Sequence, residues 1–319
     1  NGTGINHETE GFKAQPRHGG GLTYFFERAR VGILCAMKQE TALRVMQTGA
    51  DVFLTGEPGS GKTHTVNAYV RWLRAKGIEP AITASTGIAA THIGGMTIHS
   101  WSGIGVRQAL TRYDLEMMDG NERLFKRLDR AQVLILDEVS MISCDVLDMV
   151  ERVCRHIKRV NRPFGGLQVI LVGDFFQLPP VVMQQRFANA RMDFDEGEDP
   201  RAPFAFLSRA WDALDMRVCY LSEQHRQEDP VFLNLLSAIR SGHVDDDLRH
   251  TLAAQQVPTQ TVSSAGDIPR LYAHNVDVDR VNLERLSGLA GHAQKFDMSS
   301  NGPDGLVAAL KRGCLSPEV

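Results

Sequence analysis

From residue 56 the chain reads Gly56-Glu57-Pro58-Gly59-Ser60-Gly61-Lys62-Thr63, matching G-x-x-x-x-G-K-[ST] at every fixed position. The stretch before it, DVFLT at 51–55, is a short apolar run of the kind a buried strand needs. After it Val66, Val70 and Leu73 recur at i, i+4 and i+7, one face of a helix. Strand, glycine loop and helix make a phosphate cradle. Successive backbone N–H groups and the helix N-terminus aim at an anion, and the glycines supply positive φ and close backbone approach. In that arrangement Gly56, Gly59, Ser60 and Gly61 line the triphosphate of a nucleotide, and His64 belongs to the same nucleotide-binding set. Lys62 brings a point charge to the β/γ oxygens, and the Thr63 hydroxyl ligates Mg²⁺.

The chain around the loop repeats the same alternation. Strand-like runs at 51–55, 80–85, 133–137, 167–173 and 217–221 are separated by helical segments, which predicts an α/β fold with a parallel sheet and helices on both faces. QETALRVMQTG, 39–49, reads as a helix ended by Gly49. A helix over 231–239 has Asp229 as N-cap, Pro230 as first residue and Gly242 beyond its end. A third, over 144–160, puts Val146, Leu147, Val150, Val153, Cys154 and Ile157 inward, leaving Arg152, Arg155, Lys158 and Arg159 on a face more suited to solvent than to a groove. The expected organisation is a flexible glycine-rich segment over 1–30, an ATPase domain over 31–250 with a small irregular insertion near 181–206, and a second, incomplete unit over 265–319. The acidic run at 193–199 would repel DNA and is expected away from any nucleic-acid track.

Composition narrows the partners only a little. A formal charge of −3 gives no global footprint for nucleic acid, so a DNA or RNA site must be a local groove. The five cysteines, Cys35, Cys144, Cys154, Cys219 and Cys314, are scattered and form no C-x-x-C pair, which points away from zinc and disulfides and toward a reducing compartment. No apolar run approaches the ~20 residues of a membrane span. The chain starts at Asn1 and stops at GCLSPEV, so it reads as a fragment whose parent could carry a targeting peptide.

Two further motifs carry chemistry. VLILDEVS ends an apolar strand in Asp137-Glu138, at the carboxyl edge where open α/β sheets bind ligands. Asp137 is suited to hold Mg²⁺ through its water shell, and Glu138 to orient and deprotonate an attacking water. LVGDFFQLPPV, residues 171–181, runs out of a strand into a segment stiffened by Pro179-Pro180. There Gln177 has an uncharged amide able to touch a γ-phosphate or the attacking water, while Phe175 and Phe176 read as core.

Taken in order, GEPGSGKT, TASTGIAATHIGGMTIHSW, LILDEVSMI, GDFFQLPPV and EQHRQEDPVFLNLLSAIRSG resemble the successive motifs of the PIF (petite integration frequency) family of superfamily-one, ATP-dependent 5′-to-3′ DNA helicases. The resemblance covers residues 34–285. It implies a RecA-like P-loop NTPase domain followed by a second RecA-like domain, with ATP and Mg²⁺ as cofactors and single-stranded and forked duplex DNA as partners. Gln39 is implied to read the adenine edge and Arg226 to reach the γ-phosphate. Thr83, Ser85, Thr86 and His99 are implied to grip the phosphates of single-stranded DNA; a satisfied core histidine is the other reading of His99. The family further implies a monomer acting in DNA repair, recombination or telomere maintenance, in the nucleus or mitochondrion.

The chain departs from that pattern at its end. The KSQG-like and ALSR-like strings of the second domain do not occur, although RLYAHNVDVDRVNLERL resembles the entry to it, with a strand at 270–274 and a helix after it. Two other readings stay open: a RecD-like P-loop subunit of a nuclease complex, and an ATP- and DNA-binding module without unwinding activity.

Overall fold

The computed structural model describes residues 36–180, 203–223, 229–241, 245–256, 271–272 and 275–291, with residues 294, 299 and 307. The first unit, Asn1–Leu248, holds the sheet. Its elements are β1 Ala36–Met37, α1 Gln39–Gln47, β2 Val52–Gly56, α2 Lys62–Ala75, β3 Ala81–Ala84, α3 Gly87–His92, β4 Met96–Thr97, α4 Ile98–Ser102, α5 Arg112–Asp119, α6 Glu122–Arg130, β5 Val133–Asp137, α7 Cys144–Lys158, β6 Gln168–Val172, α8 Arg209–Ala213, β7 Arg217–Leu221 and α9 Pro230–Ser241. α10, Asp246–Ala254, crosses the boundary to the second unit, which contributes α11, Asn275–Ser287.

The seven strands run in the order β1-β7-β2-β6-β5-β3-β4, all pairs parallel. Both faces are covered, which is why the strands read as continuous apolar runs. Side chains alternate between two cores. Val52 and Leu54 of β2, Val133 and Ile135 of β5, and Ile170 and Val172 of β6 pack with α1 and α2 through Met46, Val66, Tyr69 and Leu73. Phe53, Leu134, Leu136, Val169 and Leu171 face the opposite way, toward α7. There Phe53 and Phe175 meet Trp211 and Phe206 in an aromatic cluster, with Phe175 and Phe206 edge to face at 4.9 Å between centroids.

Helix ends follow their local signals. Gly49 after α1 has φ +84°, and Asp229 Oδ1 accepts from Val231 N at 2.9 Å to cap α9, with Pro230 as its first residue. Gly242, residues 181–202 of the insertion expected near 181–206 and most of 270–274 lie outside the described residues, while Ala205 and Phe206 at its end pack in the core. The edge strands β1 and β4, two residues each, are too short to carry an alternating pattern and were not expected. The basic face of α7 divides. Arg152 and Arg155 are exposed, but Lys158 Nζ donates to the Asp129 and Ala131 carbonyls, both at 2.9 Å, and so ties down the end of α6. Phe176 is a correction too: Phe175 is core, whereas Phe176 stays 37% exposed.

Candidate nucleotide and DNA site

The sheet order places three loops side by side, because β2, β6 and β5 are neighbours and all end on the same edge. β2 leads into the glycine loop, β6 into Gly173-Asp174 and β5 into Asp137-Glu138. A Cβ on Gly56 would sit 2.5 Å from the Leu221 carbonyl, and Gly59 and Gly61 hold φ of +90° and +85°. Only glycine takes those conformations without strain. Gly61 is the N-cap of α2 and offers no side-chain cap, so the first-turn N–H groups face outward for an anion. Lys62 Nζ curls back onto the loop, donating to the Gly56 and Glu57 carbonyls at 2.9 and 3.2 Å. Thr63 and His64 are exposed beside it, whereas Ser60 is fully buried and its Oγ has no partner among the described residues.

The charges around Lys62 gather the motifs electrostatically. Burial pushes the Lys62 ammonium below its ordinary range, and Asp174, Glu138 and Asp137 oppose that shift. Burial raises Asp137 above the usual carboxylate range, with Lys62 opposing, and burial followed by the Asp137 charge raises Glu138. Glu138 also sits at φ +55°, ψ +45°, a left-handed conformation that costs a non-glycine residue on the order of 1–3 kcal/mol and persists only where its surroundings enforce it. Glu138 N donates to Asp137 Oδ1 at 3.0 Å, which fixes the pair's orientation.

Asp174 is a hub that the motif reading quoted without assigning it a role. Its Oδ2 accepts from Gln177 Nε2 at 3.2 Å and from Arg240 Nη1 at 2.6 Å. The missed signal was an acid directly after a buried strand, LVGD, as in LILDE. Gln177 itself is exposed at the same edge. Gln39, at the start of α1, donates from Nε2 to the Ser60 carbonyl at 3.3 Å, and its Oε1 lies 2.9 Å from His64 Nδ1. Its backbone N–H donates to Glu223 at 3.4 Å. Arg226, three residues further on, lies outside the described residues.

The four residues implied to hold DNA do not share one environment. Thr83 is wholly buried and its hydroxyl donates to the Ile135 carbonyl at 2.7 Å, so it ties β3 to β5 and cannot meet a strand of DNA. Ser85 and Thr86 follow on the edge, half-buried; the Ser85 Oγ has no partner among the described residues, and Thr86 Oγ1 accepts from Ala89 N as the cap of α3. His99 lies half-buried in α4, where burial lowers its pKa below the ordinary histidine value.

For Mg²⁺, no cluster of three or more His, Cys, Asp or Glu among the described residues could hold a metal ion. The Thr63 hydroxyl, exposed at the start of α2, and the half-buried Asp137 carboxyl are oxygen groups of the kind that hold Mg²⁺ together with phosphate oxygens. No helix among the described residues is long and apolar enough to cross a membrane. Cys144, Cys154 and Cys219 are free thiols.

Comparison with known proteins agrees with this geometry. A family model described as PIF1-like helicase matches residues 36–250. An ATP-dependent DNA helicase Pif1 of Psychrobacter is 44% identical over 283 residues, 86% of this chain and 41% of that protein's length. The crystal structure of Pif1 helicase from Candida albicans superposes with a TM-score of 0.71 at 31% identity, covering 90% of this chain and 63% of that one. Pif1 helicase from Bacteroides in complex with ADP-AlF3 and single-stranded DNA gives a TM-score of 0.63 at 29% identity, over 84% of this chain and 60% of that one. The chain thus spans about two fifths of the length of the curated relative. From the sheet that gathers the glycine loop, Asp137-Glu138 and Asp174-Gln177 on one edge, and from the match of residues 36–250, the chain belongs to the PIF1-like helicase family.

Proposed function

We propose that this chain carries the ATP-hydrolysing domain of a DNA helicase, which moves 5′-to-3′ on single-stranded DNA and opens forked duplexes. The observation that carries the reading is the meeting of Lys62, Asp137, Glu138 and Asp174 at the ends of three neighbouring parallel strands. The nucleotide-analogue and single-stranded-DNA complex of the Bacteroides relative supports it.

In this reading the α2 N-terminus and the glycine loop receive the triphosphate, and Gln39 and His64 face the base. Lys62 exchanges its loop carbonyls for the β/γ oxygens. Thr63 and Asp137 would hold Mg²⁺, which when bound would neutralise charge on those oxygens. Glu138 takes a proton from water as the water oxygen bonds to the γ-phosphorus and the bond to the β,γ-bridging oxygen breaks, releasing ADP and phosphate. Gln177 positions that water, and Arg226 stabilises the charge on the transferred group. Ser85, Thr86 and His99 contact DNA phosphates; Thr83 is withdrawn from that set. Residues 265–319 begin a second RecA-like domain. The protein acts as a monomer where cellular DNA lies, the nucleus or mitochondrion in the cells of the resembling family, and serves repair, recombination or telomere maintenance.

Steady-state ATPase measured on the full-length protein, with and without single-stranded DNA, tests the reading. Turnover should require Mg²⁺ and rise at least tenfold on adding DNA. Nucleotide and DNA binding without turnover would mean a binding module instead. Stimulation found only in company with a nuclease chain would favour a RecD-like subunit.

A further inference from the structure

Asp174 and Arg240 form an ion pair that none of these roles uses. Asp174 is 1% exposed and Arg240 13%, and Nη1 of the arginine donates to Oδ2 over 2.6 Å. The same oxygen accepts from Gln177 Nε2, and Oδ1 accepts from Phe176 N, both at 3.2 Å. The Arg240 guanidinium lies over the Phe176 ring, 4.3 Å from its centroid. One side chain of α9 thus engages the turn after β6 and the carboxylate on which Gln177 rests. The carboxylate holds the Gln177 amide by its nitrogen, which leaves Oε1 as the end presented outward. A buried carboxylate that loses its arginine partner is left with an unmatched buried group, and whatever else it holds must rearrange.

We infer that Arg240 is a positioning residue for hydrolysis. Through Asp174 it holds Gln177 and its turn at the strand ends where Lys62 and Glu138 meet, so α9 must be seated for turnover. The inference rests on the reading of Gln177 as a residue of the hydrolytic step.

The test measures kcat and KM for ATP separately, on the full-length protein with saturating single-stranded DNA. Arg240→Met keeps an apolar stem against Phe176 and removes the charge and donors. It should lower kcat about tenfold or more with KM for ATP changed less than about twofold, the scale of effect that a small misplacement of a reacting group produces. Arg240→Lys keeps the charge without the planar fork and should recover part of the loss. Gln177→Ala should lower kcat by itself, and adding Arg240→Met should lower it no further, because both act on one arrangement. Effects that multiply, an unaffected Gln177→Ala, or an Arg240→Met enzyme with kcat within twofold of the parent overturn the inference. If Arg240→Met does not fold, Arg240→Gln, which also removes the charge, takes its place in the same cycle and is judged by the same outcomes. Glu138→Gln separates the two levels. Near-normal turnover in that variant removes the hydrolytic reading, whereas lost turnover beside an unaffected Arg240→Met removes only the role of Arg240.

Discussion

Lys62 and Glu138 lie in the same small region but carry opposite burdens. Lys62 is held by carbonyls of its own loop and would trade them for phosphate, so Lys62→Ala should raise the Kd for ATP by at least tenfold and abolish turnover. In the proposed mechanism Glu138 contributes a base rather than a binding charge. Glu138→Gln should therefore keep ATP affinity within a few-fold of the parent and lower kcat by about 10²–10⁴, the usual worth of a positioned general base. Near-normal turnover by Glu138→Gln would falsify the roles assigned at this edge. Gln39 is a third case. Its Nε2 donates to the Ser60 carbonyl and its Oε1 lies against His64 Nδ1, and in the proposed reading the remaining donor and acceptor capacity of the amide meets the adenine edge. Gln39→Ala should raise KM for ATP and narrow the preference for ATP over GTP; unchanged discrimination would return Gln39 to a purely local part in the α1–α2 contact.

The strand-loop-helix element formed by β2 and α2 depends on glycine geometry more than on any side chain. A Cβ on Gly61 would lie 2.2 Å from Gln39 Nε2, and the residue sits at φ +85°. The glutamine tip could move aside, but the left-handed backbone remains unfavourable for alanine by on the order of 1 kcal/mol. Gly61→Ala should consequently weaken ATP binding by more than its small loss of stability accounts for, because it displaces the base-reading amide and reshapes the anion cradle together. Calorimetric ATP titration beside a thermal melt separates the two; equal, small losses in both would show that the loop tolerates a side chain. The element pair β5 and β6 shows the complementary constraint. Gly173 comes so close to the Val139 backbone that a Cβ would lie 3.0 Å from Val139 N, so the two acidic strand ends are packed together rather than merely adjacent.

Across the whole molecule, the parallel sheet brings the Lys62 loop, Asp137-Glu138 and Asp174-Gln177 to one edge, and the proposed directional movement needs a second body whose contacts change between nucleotide states. The full-length protein should therefore unwind a forked duplex carrying a 5′ single-stranded tail and leave one with only a 3′ tail intact. Its DNA affinity should fall steeply as salt rises, since phosphate contacts release counterions. A fluorescence unwinding assay on the two substrates checks this, and activity from the 3′ tail alone would remove the proposed polarity while leaving ATP hydrolysis untouched.

What was legible beforehand was local. The glycine loop, the acids that end VLILDE, the caps Asp229 and Gly49 and the strands 133–137 and 217–221 each depend on a few consecutive residues, and such patterns survive in one dimension. The two-residue edge strands were not legible, because they form only where β7 and β3 already stand. Thr83 was misread because a threonine leaving a strand looks the same whether its hydroxyl faces solvent or the neighbouring strand's Ile135 carbonyl. Phe175 and Phe176 share composition and are split only by the direction of the turn. Asp174 and Arg240, 66 positions apart, and Gln39 and His64, 25 apart, meet because a parallel sheet brings the ends of non-consecutive strands to one edge. Short-range sterics and hydrogen bonding thus wrote the motifs and caps into the chain. Strand order and packing decided which of those residues share a buried charge, because desolvation and pairing depend on neighbours that no local stretch contains.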